Sequence, residues 1–170
     1  IPFVLDGDRT PSRLDPFGSS DRRMEYYFLG EEEKDESTGY LFLEFKKEGT
    51  EECRSIGIGQ RAKRGKPMDF WGFVILDGKR IGYDLWLYKT VGTSKIPLDK
   101  REMKTLLGEE NFFTDSQSEY KKHVNQYIFG FRKEEQYEQF IRLLVKVRAP
   151  KLSKEFKPTK VYEILNDSLQ

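Results

Sequence analysis

Residues 69–76, DFWGFVIL, place a large apolar side chain at almost every position. A β-strand sends successive side chains to opposite faces, so this segment is apolar on both. Such a strand belongs in the middle of a sheet, with helices over one face and another cover over the other. That second cover is expected to be missing from this chain. Upstream, Leu41, Leu43 and Phe45 alternate with Glu44 and Lys46, the period of a half-buried strand. Further strands are predicted over residues 53–61 and 80–88, and Asp77-Gly78 reads as the hairpin turn leading into the last of them.

The pattern turns helical after Pro97. Asp99 with Glu102 forms a capping-box spacing that opens a helix to Leu107. Tyr120, Val124, Tyr127, Ile128 and Phe131 make one apolar stripe, and Tyr137, Phe140, Ile141, Leu144 and Val145 a second. A last helix is predicted over 158–168. At the other end, the prolines and glycines of residues 1–20 predict an ordered loop, followed by a short helix over 21–29 that Gly30 ends. The acidic run EEEKDE at 31–36 reads as a solvated turn. The expected class is α+β: one domain with a loop and short helix (1–38), an antiparallel sheet of four strands (39–90) and a helical part (97–170).

The 170 residues suit one core, and a hydrophobic fraction of 36% with 35% charged residues gives no apolar run long enough for a membrane helix. Thirty basic and 29 acidic residues nearly cancel, so any attraction to polyanions must come from local clusters. The single Cys53 and single His123 exclude an internal disulfide and a Cys/His zinc site, and a reducing cytoplasm is expected. An opening Ile1-Pro2 in place of Met is expected of a segment of a longer protein or of a processed product.

Catalytic arrangements are hard to find. A phosphate loop needs G-x-x-x-x-G-K-[ST], and the nearest string, GQRAKRGKP from Gly59 to Pro67, has the wrong glycine spacing and a proline where the hydroxyl belongs. FVILD at 73–77 and FVLD at 3–6 resemble the apolar strand whose Asp holds magnesium in ATPases, but neither is followed by Glu, and Asp77 reads as a turn residue. His123 reads as a boundary residue of a helix. Cys53 follows Glu51-Glu52, a setting that disfavours a thiolate.

Basic residues do cluster around glycine. Arg61, Lys63, Arg64 and Lys66 fall in a loop between two predicted strands, an exposed hairpin suited either to phosphate contacts or to solvent. Arg9, Arg13, Arg22 and Arg23 form a second group, and Arg142, Lys146, Arg148, Lys151, Lys154, Lys157 and Lys160 a third.

Three long segments carry a resemblance: LDGDRTPSRLDPFGSSDRRMEYYFLG (5–30), GIGQRAKRGKPMDFWGFVILDGKRIGYDLWLYK (57–89) and PKLSKEFKPTKVYEILNDSLQ (150–170). Together they resemble the MukB-like SMC ATPases of bacterial Wadjet plasmid-defence systems, the JetC subunit, in the head segment between the phosphate-loop helix and the coiled coil. The resemblance implies that FVLD at 3–6 is the tail of that helix, and that the phosphate loop, signature motif, magnesium-binding Asp and catalytic Glu lie outside this sequence. It implies ATP and magnesium as cofactors of the longer protein. Double-stranded DNA, the remainder of the head, kleisin-like and accessory subunits and a nuclease are its implied partners, in a cytoplasmic, nucleoid- or plasmid-associated setting. It assigns DNA sensing to Arg13, Arg22 and Arg23, and to Gln117 the glutamine that reaches magnesium and the attacking water; an ordinary place near a helix start is the other reading of Gln117. The alternative for the whole chain is a stand-alone nucleic-acid-binding or protein-interaction module.

In either case, this chain by itself is expected to release phosphate from ATP at no more than background rate, because nothing in it cradles phosphates. A steady-state phosphate assay checks this, and turnover that a Gln117→Ala substitution abolishes would contradict it.

Overall fold

The computed structural model describes residues 1–10, 28–30 and 34–148. The expected helix over 158–168 and most of that over 21–29 lie outside them; Phe28 and Leu29 are helical, and Gly30 follows at φ 64°. In chain order the elements are α1 (Pro2–Asp6), β1 (Glu36–Lys46), β2 (Cys53–Lys63), β3 (Asp69–Ile75), β4 (Tyr88–Val91), β5 (Ser94–Pro97), α2 (Lys100–Leu107), β6 (Phe112–Thr114), α3 (Gln117–Val124) and α4 (Glu134–Arg148). A π-helical turn, Asn125–Phe129, continues α3. The class is α+β, with a four-stranded antiparallel sheet in the order β1-β2-β3-β6 and a separate two-stranded sheet of β4 and β5.

As the sequence requires, β3 is central and alternates between two cores. Phe70 and Val74 join Ile56, Ile58, α1 and the buried Tyr120, Val124, Tyr137 and Ile141 of the helical part. Trp71, Phe73 and Ile75 face the other way, against Leu85, Leu98, Met103 and Leu107. The expectation of a missing cover is therefore corrected: all three residues are at 0% exposure, and the chain between Ile81 and Leu107 encloses them.

That same cover explains why 80–88 is not the fourth strand. Asp77 accepts from the Lys79 amide (3.1 Å), and the Arg80 carbonyl accepts from the amides of Tyr83 (3.2 Å), Asp84 (2.9 Å) and Leu85 (3.3 Å), so the chain coils instead of extending. Coiling lets Ile81, Leu85 and Leu87 drop onto the Trp71 side of the sheet, and burial of that aromatic face outweighs the period-two pattern. The fourth strand is β6, which pairs Gly72 with Thr114 and Val74 with Phe112. The two-residue hairpin turn is Gly92-Thr93, between Val91 and Ser94, not Asp77-Gly78. Gly92 has φ 60° and no non-glycine residue among the described ones has positive φ, which is the II′ geometry.

The Asp99 capping box is present as predicted, with Glu102 N–H donating to Asp99 Oδ1 at 2.8 Å and Asp99 N–H to Glu102 Oε2 at 3.0 Å. The first helical stripe is interrupted. Gly130 N–H bonds to Asn125 O (2.7 Å), five residues back, and Asn125 exchanges two side-chain bonds of 3.0 Å with the Phe131 backbone. The wider turn puts Phe129 against Phe45 of β1 (6.0 Å between centroids) and Phe140 of α4 (5.2 Å), an aromatic link between sheet and helices.

Close approach fixes glycine where β2 and β3 meet the aromatics. A Cβ on Gly59 would fall 2.2 Å from Trp71, one on Gly57 2.3 Å from Phe73, and one on Gly72 2.4 Å from Tyr120. Gly72→Ala must displace Tyr120, whose ring is fully buried. The expected loss is about 1–3 kcal/mol, read from the denaturant midpoint; an unchanged midpoint would contradict this packing.

Candidate nucleic-acid interface

Arg9 is brought to the basic hairpin by the way α1 ends. This helix of five residues stops at Gly7 (φ 67°), and all of Pro2–Asp6 is buried. Buried carbonyls beyond the last intrahelical bond need donors from elsewhere. The Gly7 amide serves Phe3 O (2.8 Å), the Tyr120 hydroxyl serves Val4 O (2.5 Å), the Tyr137 hydroxyl serves Leu5 O (2.7 Å), and the Gln117 side-chain amide serves Asp6 O (2.8 Å). Three donors from α3 and α4 thus hold the end of a helix more than a hundred residues away in sequence.

Burial pushes the Tyr137 phenol well above its ordinary value of 10.0, and the Asp6 charge adds to it. Tyr120 is raised likewise, by burial first and then by Tyr137 and Asp6.

From Gly7 the chain passes Phe70 and emerges at Asp8–Thr10. Arg9 stands over the Phe70 ring (5.7 Å) and donates from Nη1 to Met68 O at 3.1 Å. Met68 lies at the foot of the loop joining β2 and β3, so Arg9 stands beside the basic hairpin. Lys63, Arg64, Gly65 and Lys66 form that hairpin's type II turn: Lys66 N–H donates to Lys63 O (3.0 Å) and Gly65 takes φ 73°.

The hairpin cations are not bare. Arg61 pairs with Glu36 (2.6 Å), Lys63 with the other oxygen of Glu36 (3.5 Å), and Arg64 with Asp35 (3.7 Å). The hydrogen bond from Arg61 holds the Glu36 carboxyl below its ordinary 4.5. Lys66 is exposed and has no ion pair among the described residues. On the third basic group, Arg142 is exposed on α4 and pairs with Glu138 (3.6 Å), Lys146 is exposed, and the residues after Arg148 lie outside the described ones. Arg13, Arg22 and Arg23 lie outside them too.

Other sequence candidates have structural tasks. Asp77 is a turn residue that also accepts from Asn111 Nδ2 (3.0 Å); Asn111 in turn accepts from the Leu76 amide (2.7 Å) and donates to Leu107 O (2.8 Å), tying β3 to α2. No sequence signal had marked Asn111. His123 stacks on Phe112 at 3.6 Å with an interplanar angle of 11°, and Cys53 is buried at the start of β2.

Gln117 opens α3 beside the C-terminal end of α1 with its amide committed to Asp6 O, and no three His, Cys, Asp or Glu side chains converge among the described residues. Comparison with protein-family models, curated proteins and solved structures finds no match. Among the described residues no helix is long and apolar enough to cross a membrane.

The tyrosine contacts set a pH dependence. The neutral phenol is the donor, and each phenol titrates higher folded than unfolded. Their stabilisation is therefore complete below pH 10 and declines as the pH rises above it. Replacing Tyr120 and Tyr137 by Phe is expected to cost about 1–2 kcal/mol for each carbonyl left unpaired and to make the alkaline decline shallower. Denaturant midpoints between pH 8 and 12 check it; an equally steep decline in the double variant would contradict the assignment.

Proposed function

We propose that this chain is a segment of the head domain of an SMC-like, condensin-like ATPase of the MukB-like Wadjet class, where it contributes DNA contacts and head assembly to loop extrusion and plasmid defence. The sequence resemblance suggests the class. The observation that supports the DNA part is the Arg9–Met68 bond, which sets Arg9 at the foot of the hairpin bearing Arg61, Lys63, Arg64 and Lys66. Arg9 and a basic hairpin on one end of a sheet suit the phosphate backbone of a duplex, with no demand on base sequence.

In this reading ATP and magnesium bind the longer protein through residues outside this chain, and the partners are duplex DNA, the rest of the head, kleisin-like and accessory subunits and a nuclease. The setting is cytoplasmic, at nucleoid or plasmid DNA. Gln117 connects the end of α1 to the helical part, and any role in nucleotide chemistry belongs to the longer protein. A nucleic-acid-binding module without ATPase activity is the second reading, favoured by the same basic surface and by the committed Gln117 amide.

Replacing Arg61, Lys63, Arg64 and Lys66 by Ala is expected to weaken binding about equally for unrelated duplexes and to lower the slope of log K against log salt by roughly 0.9 for each phosphate no longer neutralised. In the longer protein, Ala at Arg13, Arg22 and Arg23 is expected to reduce DNA stimulation of ATP hydrolysis more than binding. Wild-type affinity and slope in the hairpin variant would return that loop to ordinary solvated surface. Full stimulation in the arginine variant would remove the coupling role, and a parent without ATPase activity would favour the second reading.

A further inference from the structure

We propose that Asp35 and Glu36, the end of the acidic run 31–36, are intrachain competitors for the basic hairpin, standing where backbone phosphates would bind, so that a polyanion must displace them. The inference rests on the reading of the hairpin as a phosphate contact and deepens it by naming how access is regulated.

The run EEEKDE holds five carboxylates in six positions, and Asp35 and Glu36 are its described end. The antiparallel register sets Glu36 opposite Lys63 and Thr38 opposite Arg61. One carboxylate therefore bridges two cations, Oε1 to Arg61 at 2.6 Å and Oε2 to Lys63 at 3.5 Å, as two oxygens of one phosphate can. One main-chain bond holds the acidic segment there independently of side-chain charge, Arg64 N–H donating to Asp35 O (2.9 Å), and the Arg64 guanidinium adds a bond from Nη2 to Lys34 O (3.1 Å).

The pairs are also weak enough to exchange. Arg61, Lys63 and Arg64 are each 40–49% exposed and Asp35 is 98% exposed, conditions in which an ion pair contributes little. A duplex gains counterion-release entropy that one tethered carboxylate cannot match. Lys66, unpaired among the described residues, offers the first contact before the others exchange partners.

The test is the Asp35→Asn/Glu36→Gln variant of the full chain, with Glu36→Gln alone as a milder second variant. Glu109→Gln/Glu110→Gln is the control, since it makes the same charge change beyond the far end of β3. Two readouts are used: anisotropy of a labelled duplex at two salt concentrations, and the salt needed to elute the protein from immobilised heparin. The proposal expects roughly three- to tenfold tighter duplex binding, a slope steeper by about 0.9 per cation released, and later elution from heparin, for both acidic-run variants and not for the control. Unchanged affinity and elution in the acidic-run variants would overturn it. Equal tightening in the control would overturn it too, because net charge alone would then explain the effect. Later elution from heparin with no duplex binding by any form would uphold the competitor and reject the DNA reading.

Discussion

The structure depends on how the carbonyl end of one short helix is satisfied. A buried helix terminus is costly unless every exposed carbonyl finds a donor, and in α1 the donors arrive from three places on α3 and α4: Tyr120, Tyr137 and Gln117. Those bonds fix the helical part over the Phe70 and Val74 face of the sheet. They also set the direction in which the chain leaves Gly7, and hence where Arg9 meets the hairpin. Gly72 belongs to the same arrangement, since only a missing side chain there lets the Tyr120 ring pass close over β3.

The opposite face is held by apolar packing, supplemented at its ends by Asn111 and by the Tyr40 hydroxyl, which donates to Leu98 O at 2.7 Å. The two faces therefore differ in kind. One places a terminus through specific polar contacts inside a core; the other closes over Trp71 and Phe73 with whatever apolar residues the coiled segment 81–107 presents. The charged end of the sheet lies between them. There, Arg61, Lys63 and Arg64 are held by Glu36 and Asp35 in exposed ion pairs, and in the proposed function a polyanion competes for the same three cations.

Much of the sheet was legible because β3 is apolar at consecutive positions and β1 alternates from Leu43 to Lys46, although Leu41, expected on the same buried face, is exposed. The Asp99 and Glu102 box was legible for a local reason, since both partners of a cap lie within one turn. The fourth strand was not. Phe112–Thr114 is too short to show a period, whereas 80–88 shows one that a better burial for Ile81 and Leu85 overrides. The π-helical turn was hidden because Tyr127 and Ile128 fit an ordinary helical stripe just as well. The pairing of Glu36 with Lys63 could have been found by continuing the β1–β2 register outward from the apolar residues, which would have turned a solvated acidic turn into a partner of the hairpin. The tyrosine contacts to Val4 and Leu5 left no trace in the sequence, since nothing local distinguishes a core tyrosine that caps a distant carbonyl from one that merely fills space.

The claim that the end of α1 is built into the same cooperative unit as the central strand is tested most directly by native-state hydrogen exchange. The Gly7 amide, bonded to Phe3 O, and the amides of β3 are expected to exchange through one global opening, with the same free energy and the same denaturant dependence. Exchange of the Gly7 amide through a smaller opening that leaves β3 protected would contradict the claim, and would make α1 a loosely attached segment instead of the point on which the two halves are joined.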